Sequence, residues 1–204
     1  MRADAERNRE RILEVAGRLF AATGGKASIE DIARAAGVGV GTVHRHFPSK
    51  EQLLAAVLVA SCGPILEALD LALAGDDPGS GVEAFLLAVL EQQAHHRALA
   101  EELRDQMDLS PELAAVKHRI RERLETLITE AQDAGEIRPD VGPSDITMLL
   151  ASISQTATIG GAEIDPTIRA RYLRIMLDGL RPLDPTPLPG RSMTFEEMDA
   201  SSGS

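Results

Sequence analysis

The stretch Ser28–Lys50, SIEDIARAAGVGVGTVHRHFPSK, constrains the fold more tightly than any other part of this 204-residue chain. Ser28 stands three residues before Asp31, a spacing at which a hydroxyl and a carboxylate cap a helix reciprocally. Ile29, Ile32, Ala33 and Ala36 then recur at helical spacing and give that helix one face to bury. Gly37 falls where the chain must leave the helix, a place that favours the left-handed backbone glycine adopts without strain. Val38 and Val43 resume the apolar pattern on a second short helix over about 39–46, closed by Phe47 and Pro48. Small Ala33, turning Gly37 and anchoring Val43 suit two helices meeting at a sharp corner, a helix-turn-helix. Spacing alone leaves an ordinary αα-hairpin open as well.

The rest of the chain reads as helix too, so the expected fold is all-α with about nine helices. A first helix over Asp4–Thr23 buries Ile12, Leu13, Ala16, Leu19 and Phe20 and turns Arg7, Arg9, Arg11 and Arg18 outward. Ser49 caps a fourth helix, which Gly63-Pro64 should kink or divide. Beyond the loop Ala74–Gly81, helices are expected over about 82–96, 97–108, 111–134, 143–160 and 166–180. Aromatic residues make up only 2% of the chain, so Leu, Ile, Val, Met and Ala must build the core, which favours closely packed helices. The last two helices each carry two apolar faces, more than one core needs, and the surplus suggests that two copies pair there. The expected organisation is a three-helix domain over 1–48, a helical body over 49–181, and a tail over 182–204. That tail is Pro-rich, then acidic, and is expected to be largely disordered.

The net charge is −11, yet residues 1–50 hold 9 of the 21 basic residues and only 6 of the 32 acidic ones. A basic head on an acidic body can bind a polyanion in one orientation. The single cysteine, Cys62, excludes an intrachain disulfide and fits a reducing compartment. The N-terminus lacks an apolar leader. The apolar run Leu53–Leu69 is broken by Gly63, Pro64 and Glu67 and is expected not to span a membrane. A cytoplasmic protein is therefore expected. No nucleophile–base pair, phosphate-binding Gly-rich loop or metal-ligand cluster stands out, so neither catalysis, a cofactor nor a metal is expected. His95 and His96, adjacent on a helix, point apart and do not chelate one ion together.

With the helix-turn-helix placed, the block IEDIARAAGVGVGTVHRHFPSKEQLL, the arginine-bearing helix before it and the helical residues behind it resemble the TetR family of bacterial transcriptional regulators. The phrase RYLRIMLDGL is similar to the last helix of such proteins. The resemblance implies a homodimeric regulator, more often a repressor, on a pseudo-palindromic double-stranded DNA operator. It further implies release on binding of a small-molecule effector, and dimerisation through the helices expected at 143–160 and 166–180. The second helix of the motif would enter the major groove. Thr42 and His46 match positions that touch phosphate or base edges, and Lys50 matches a phosphate-binding residue at a helix start. Ser28 and Thr42 offer hydroxyls. Arg45 is the candidate for reading guanine, with a plain phosphate contact as the alternative.

This sequence departs from the family at two places. His44 stands where Tyr is usual, and Val40, flanked by Gly39 and Gly41, stands where a polar or basic residue is common. Val40 either packs on a thymine methyl or is buried beside Val43. Histidine changes charge near neutrality, so His44 and His46 are expected to tighten DNA binding at pH 6 relative to pH 8. Effector-lining candidates are Phe85, Gln92, His96, Arg104, Met107, His118 and Gln155, a mixture of polar and apolar groups on otherwise apolar helices. Two other classes stay open: a helical interaction protein that does not bind DNA, and a helical enzyme with a nucleic-acid-binding head.

Overall fold

The computed structural model describes residues 2–102, 110–155, 158–159, 162–163 and 165–202. For residues 2–3, 92–102, 154–155, 158–159, 162–163, 166 and 201–202 the description is of the backbone alone. The described elements are α1 (Arg2–Thr23), α2 (Ile29–Ala36), α3 (Val40–His46), α4 (Lys50–Ser61), α5 (Gly63–Leu73), α6 (Pro78–Glu102) and α7 (Pro111–Asp133). They continue with α8 (Pro143–Gln155), a hairpin of β1 (Thr158–Ile159) and β2 (Ala162–Glu163), α9 (Pro166–Leu180) and α10 (Phe195–Ser202). The chain divides into two compact units, Met1–Gly63 with His95–Lys117, and Pro64–Ala94 with His118–Ser204.

In the first unit α1 to α4 share one core. Ile12, Ala16 and Phe20 of α1 meet Ile32, Ala33 and Ala36 of α2, Val43 of α3, and Leu53, Leu54, Val57 and Leu58 of α4. Because α4 gives its apolar face to this core, the first unit reaches past the boundary expected at 48. Leu113, near the start of α7, joins the same cluster. The stretch Lys50–Leu73, 24 residues, is by length and composition able to cross a membrane. It is divided at Cys62, as Gly63-Pro64 suggested. Leu53 and Val57 on one side serve the first core, and Leu69 and Ala72 on the other serve the second.

The second core joins Leu69, Val82, Phe85, Leu86, Leu124, Leu127, Ile128, Ile146, Leu150, Leu173, Met176 and Leu180. Three elements differ from the sequence expectation. Where helices were expected at 82–96 and 97–108, α6 is continuous from Pro78 to Glu102. Its start was hidden in an apparent loop: Asp77 accepts from the Ser80 N–H at 3.1 Å, and Pro78 takes a first-turn position that needs no N–H donor. The helix expected over 143–160 stops at Gln155, and Thr158 pairs with Glu163 and Ile159 with Ala162 in an antiparallel hairpin. β-Branched Thr158 and Ile159 ahead of Gly160-Gly161 favour that outcome over helix.

The third difference is the tail. Instead of being disordered, residues 183–202 run as a strap along the second unit and end in α10. Arg138, 7% exposed, donates to both Asp140 oxygens (2.6 and 2.8 Å) and to the Thr186 carbonyl (2.6 Å). Asp140 also accepts from the Leu188 N–H at 3.0 Å. Ser144 bonds to Ser192 at 2.9 Å and to the Met193 carbonyl at 2.5 Å. Phe195 packs on the core beneath the Arg121 guanidinium, which forks onto Asp199 at 2.6 and 2.7 Å. Composition suggested disorder because the anchoring partners, Arg121, Arg138 and Ser144, lie far away in sequence.

Candidate nucleic-acid interface

The motif is fixed at each of its corners. Asp31 N–H donates to Ser28 Oγ at 3.1 Å, and Ser28 N–H and Oγ–H donate back to the Asp31 carboxylate at 3.3 and 2.5 Å. Those bonds, with Arg34 3.0 Å away, hold the Asp31 carboxyl below its ordinary range. Ser28 was a candidate phosphate donor; its only hydroxyl proton is spent on the cap, so its part here is structural. Gly37 ends α2 at φ 64°, ψ 34°, with its N–H and that of Val38 bonded back to Arg34 and Ala33 carbonyls. The chain thereby turns into α3, which Val43 (0% exposed) and Phe47 (3%) anchor in the core.

What α3 leaves outside is a short surface of mixed character. Val40 is exposed rather than buried beside Val43. Gly41 is exposed, and a side chain there would meet open space. His44 and Arg45 are exposed, and Thr42 and His46 are half-buried. Gly39 caps the helix without a side-chain bond, so the backbone of the first turn is bare. Arg45 lies back along its own helix, donating from Nε to the Gly41 carbonyl and from Nη2 to Thr42 Oγ1, both at 3.1 Å.

Two further cations flank α3. Lys50 is the first residue of α4, its Nζ 5.8 Å from the centre of the Phe20 ring. Ser49 caps that helix by accepting from Gln52 N–H at 3.2 Å. An ammonium beside a helix N-terminus suits an anion such as phosphate. Arg9 of α1 places its guanidinium 5.5 Å from the centre of the Phe47 ring, beside the end of α3. Arg9 was legible in sequence only as one of several arginines off the buried stripe of α1; the ring contact is what singles it out.

The residues expected to line an effector site are not gathered in the described part of the structure. Phe85 is core, 3% exposed. His118 faces solvent with its Nε2 3.3 Å from Glu122 one turn on. Arg104 and Met107 lie outside the described residues, as do the side chains of Gln92, His96 and Gln155. Two grooves open on the second unit. One, of about 510 Å³, is lined by Val82, Ile137, Leu177 and Leu180 with Glu83 and Arg181. The other, of about 670 Å³, is more apolar and runs between α8, α9 and the strap, past Met148, Leu149, Tyr172, Ile175 and Leu188. Cys62 is unsuited to nucleophilic chemistry, since burial pushes its thiol above the ordinary range.

Residues 12–57 match the family model of bacterial regulatory proteins of the tetR family, and residues 77–182 match the SbtR-like C-terminal domain of transcriptional regulators. The crystal structure of a TetR transcription regulatory protein from Mycobacterium vanbaalenii is 35% identical, with a TM-score of 0.67 over 88% of this chain and 98% of that one. The HTH-type transcriptional regulator UidR of Escherichia coli is 26% identical over 88% of this chain and 96% of its own length. The HTH-type transcriptional repressor KstR2 of Rhodococcus jostii is 27% identical over 84% and 90%.

Proposed function

The chain belongs to the TetR family of transcriptional regulators, whose members are not enzymes, and on that premise we propose that it is a cytoplasmic repressor working as a homodimer on a pseudo-palindromic operator, released by a small-molecule effector. The observation that carries the reading is the exposed face of α3, with Val40, Gly41 and Arg45 outward while Val43 and Phe47 hold the helix from beneath.

Each residue takes a role that its placement supports. Gly41 lets the backbone approach the groove, and Val40 offers an apolar contact to a thymine methyl. Arg45 reads a guanine. Thr42, His44, His46 and Lys50 face phosphates and base edges around it, and Arg9 adds a cation beyond the end of α3. The relatives' KstR2 is a repressor by name, which supports repression over activation.

Dimerisation falls to α8 and α9. Each helix gives one face to the core, Ile146, Leu150 and Ile153 from α8 and Leu173, Met176 and Leu180 from α9. Met148, Leu149, Ile168, Tyr172 and Ile175 remain exposed, Ile175 at 57%. An apolar surface of this kind on two packed helices suits an isologous interface. Gln92, His96, Arg104, Met107 and Gln155 remain candidates for the effector lining. The effector acts on the body and shifts α4, the helix that follows the motif. A coupling of about 1–3 kcal/mol suffices to release the operator.

The test is titration of the purified protein on DNA from its own promoter region, with sedimentation of wild type and Ile175→Glu. Steeply salt-dependent binding to a palindrome, by a dimer that the charge substitution dissociates at least about tenfold more readily, supports the reading. A monomer, or binding indifferent to sequence and salt, contradicts it.

A further inference from the structure

Arg45 is not a free side chain. Its Nε–H and one Nη2–H, the two donors along the side of the guanidinium, are spent on the Gly41 carbonyl and the Thr42 hydroxyl oxygen, each at 3.1 Å. Both acceptors sit on the same short helix, one turn back, so the arginine is folded against α3 by local bonds alone. Two parallel N–H groups at the far end, one on Nη1 and one on Nη2, are left over. That end is the fork that matches guanine O6 and N7. Both acceptors are neutral, so the guanidinium keeps its whole charge for the DNA. Thr42 uses only a lone pair in this bond and retains its own proton, which is free for a phosphate oxygen.

We propose that Thr42 is a positioning residue: its hydroxyl, with the Gly41 carbonyl, pins Arg45 so that the end of the guanidinium is aimed at a guanine before DNA arrives. This rests on the reading of α3 as the recognition helix and deepens it by naming what sets specificity. A free arginine loses much of its rotamer freedom on binding, at a cost that a pre-formed side chain has already met. The pin also explains how so bare a helix start discriminates sequence: the one strong reader is held rigid from the first turn.

The experiment measures the preference among the four bases at each operator position for wild type, Thr42→Val, Thr42→Ser, Arg45→Ala and the Thr42→Val/Arg45→Ala double variant. A ratio of affinities is the readout because any uniform loss of a phosphate contact cancels in it. Wild type prefers guanine at one position in each half-site, and Arg45→Ala abolishes that preference. Thr42→Val, which is nearly isosteric but has no hydroxyl, reduces it about fivefold at the same position. Thr42→Ser retains it, and Thr42→Val has no further effect on preference once Arg45 is removed. The pin is overturned if Thr42→Val keeps the wild-type preference, changes a different position, or acts equally in the Arg45→Ala background. A wild-type protein that binds DNA with no Arg45-dependent position overturns Arg45 as a reader, and one that binds no DNA overturns the underlying reading; the pin falls with either.

Discussion

Ser28 and Asp31 hold each other from both sides, the serine hydroxyl accepting from the Asp31 amide while the carboxylate accepts from the serine. This bond pair sets where α2 begins, and α2 in turn sets the angle at which α3 leaves Gly37. Ser28→Ala removes the cap and should lower stability by about 1 kcal/mol. Operator affinity measured well below the melting temperature should change little, because the hydroxyl has no proton left for DNA. Chemical denaturation and a binding titration on the same sample separate the two effects.

Gly41 and the surface of α3 pull in opposite directions. A side chain at 41 meets nothing within 4 Å, and alanine in a helix is more favourable than glycine by about 0.5–1 kcal/mol. Gly41→Ala should therefore raise the melting temperature. The added methyl stands on the face proposed to enter the groove, so affinity for the operator should fall. A variant that is both more stable and a tighter binder would place the groove-facing surface elsewhere.

Lys50 is a cation at the start of α4, with Ser49 capping the helix beside it. Its proposed contact is to phosphate rather than base. Lys50→Ala should weaken all DNA sequences alike and reduce the slope of log affinity against log salt by about 1. Arg45→Ala should instead relax preference at one position. Identical behaviour of the two variants would erase this division of labour.

The α10 end of the strap should loosen in acid. Arg191 and the Thr194 N–H lower the Glu197 carboxyl from 4.5 to about 2, and Arg138 with the Leu188 N–H depresses Asp140 further. A carboxyl depressed by folding contributes stability that is complete above its unfolded value and is lost as pH falls through the folded one. For Glu197 that window runs from about 4.5 down to about 2. Amide exchange at the start of α10, around residues 194–198, should rise across it, ahead of the second core.

The motif was legible because its signals are local: a capping pair three apart, an apolar stripe, one turning glycine and a buried anchor, all within Ser28–Phe47. The strap was not, because Arg138 meets Thr186, and Arg121 meets Asp199, only after folding. One local signal was present there. Thr194 and Glu197 have capping-box spacing, and each side chain bonds the other's amide, at 3.2 and 2.8 Å. It sat behind a proline-rich stretch and read as part of the tail. The same limit applies to Arg45: sequence gave it a charge and a place on α3, whereas its bonds to Gly41 and Thr42 required coordinates. Of the two apolar faces expected on each of the last two helices, the structure exposes Leu149 of α8 and buries Met176 of α9. A pattern with apolar residues on both faces does not say which face is inside.

Selection of bound sequences from random double-stranded DNA decides whether paired α3 helices read an operator. An enriched site with two-fold symmetry is expected, its half-sites about one helical turn or a multiple of it apart, as paired α3 helices on one face of the duplex require. A guanine in each half-site should depend on Arg45. Enrichment of a single unpaired half-site, or no enrichment above the starting pool, would contradict it.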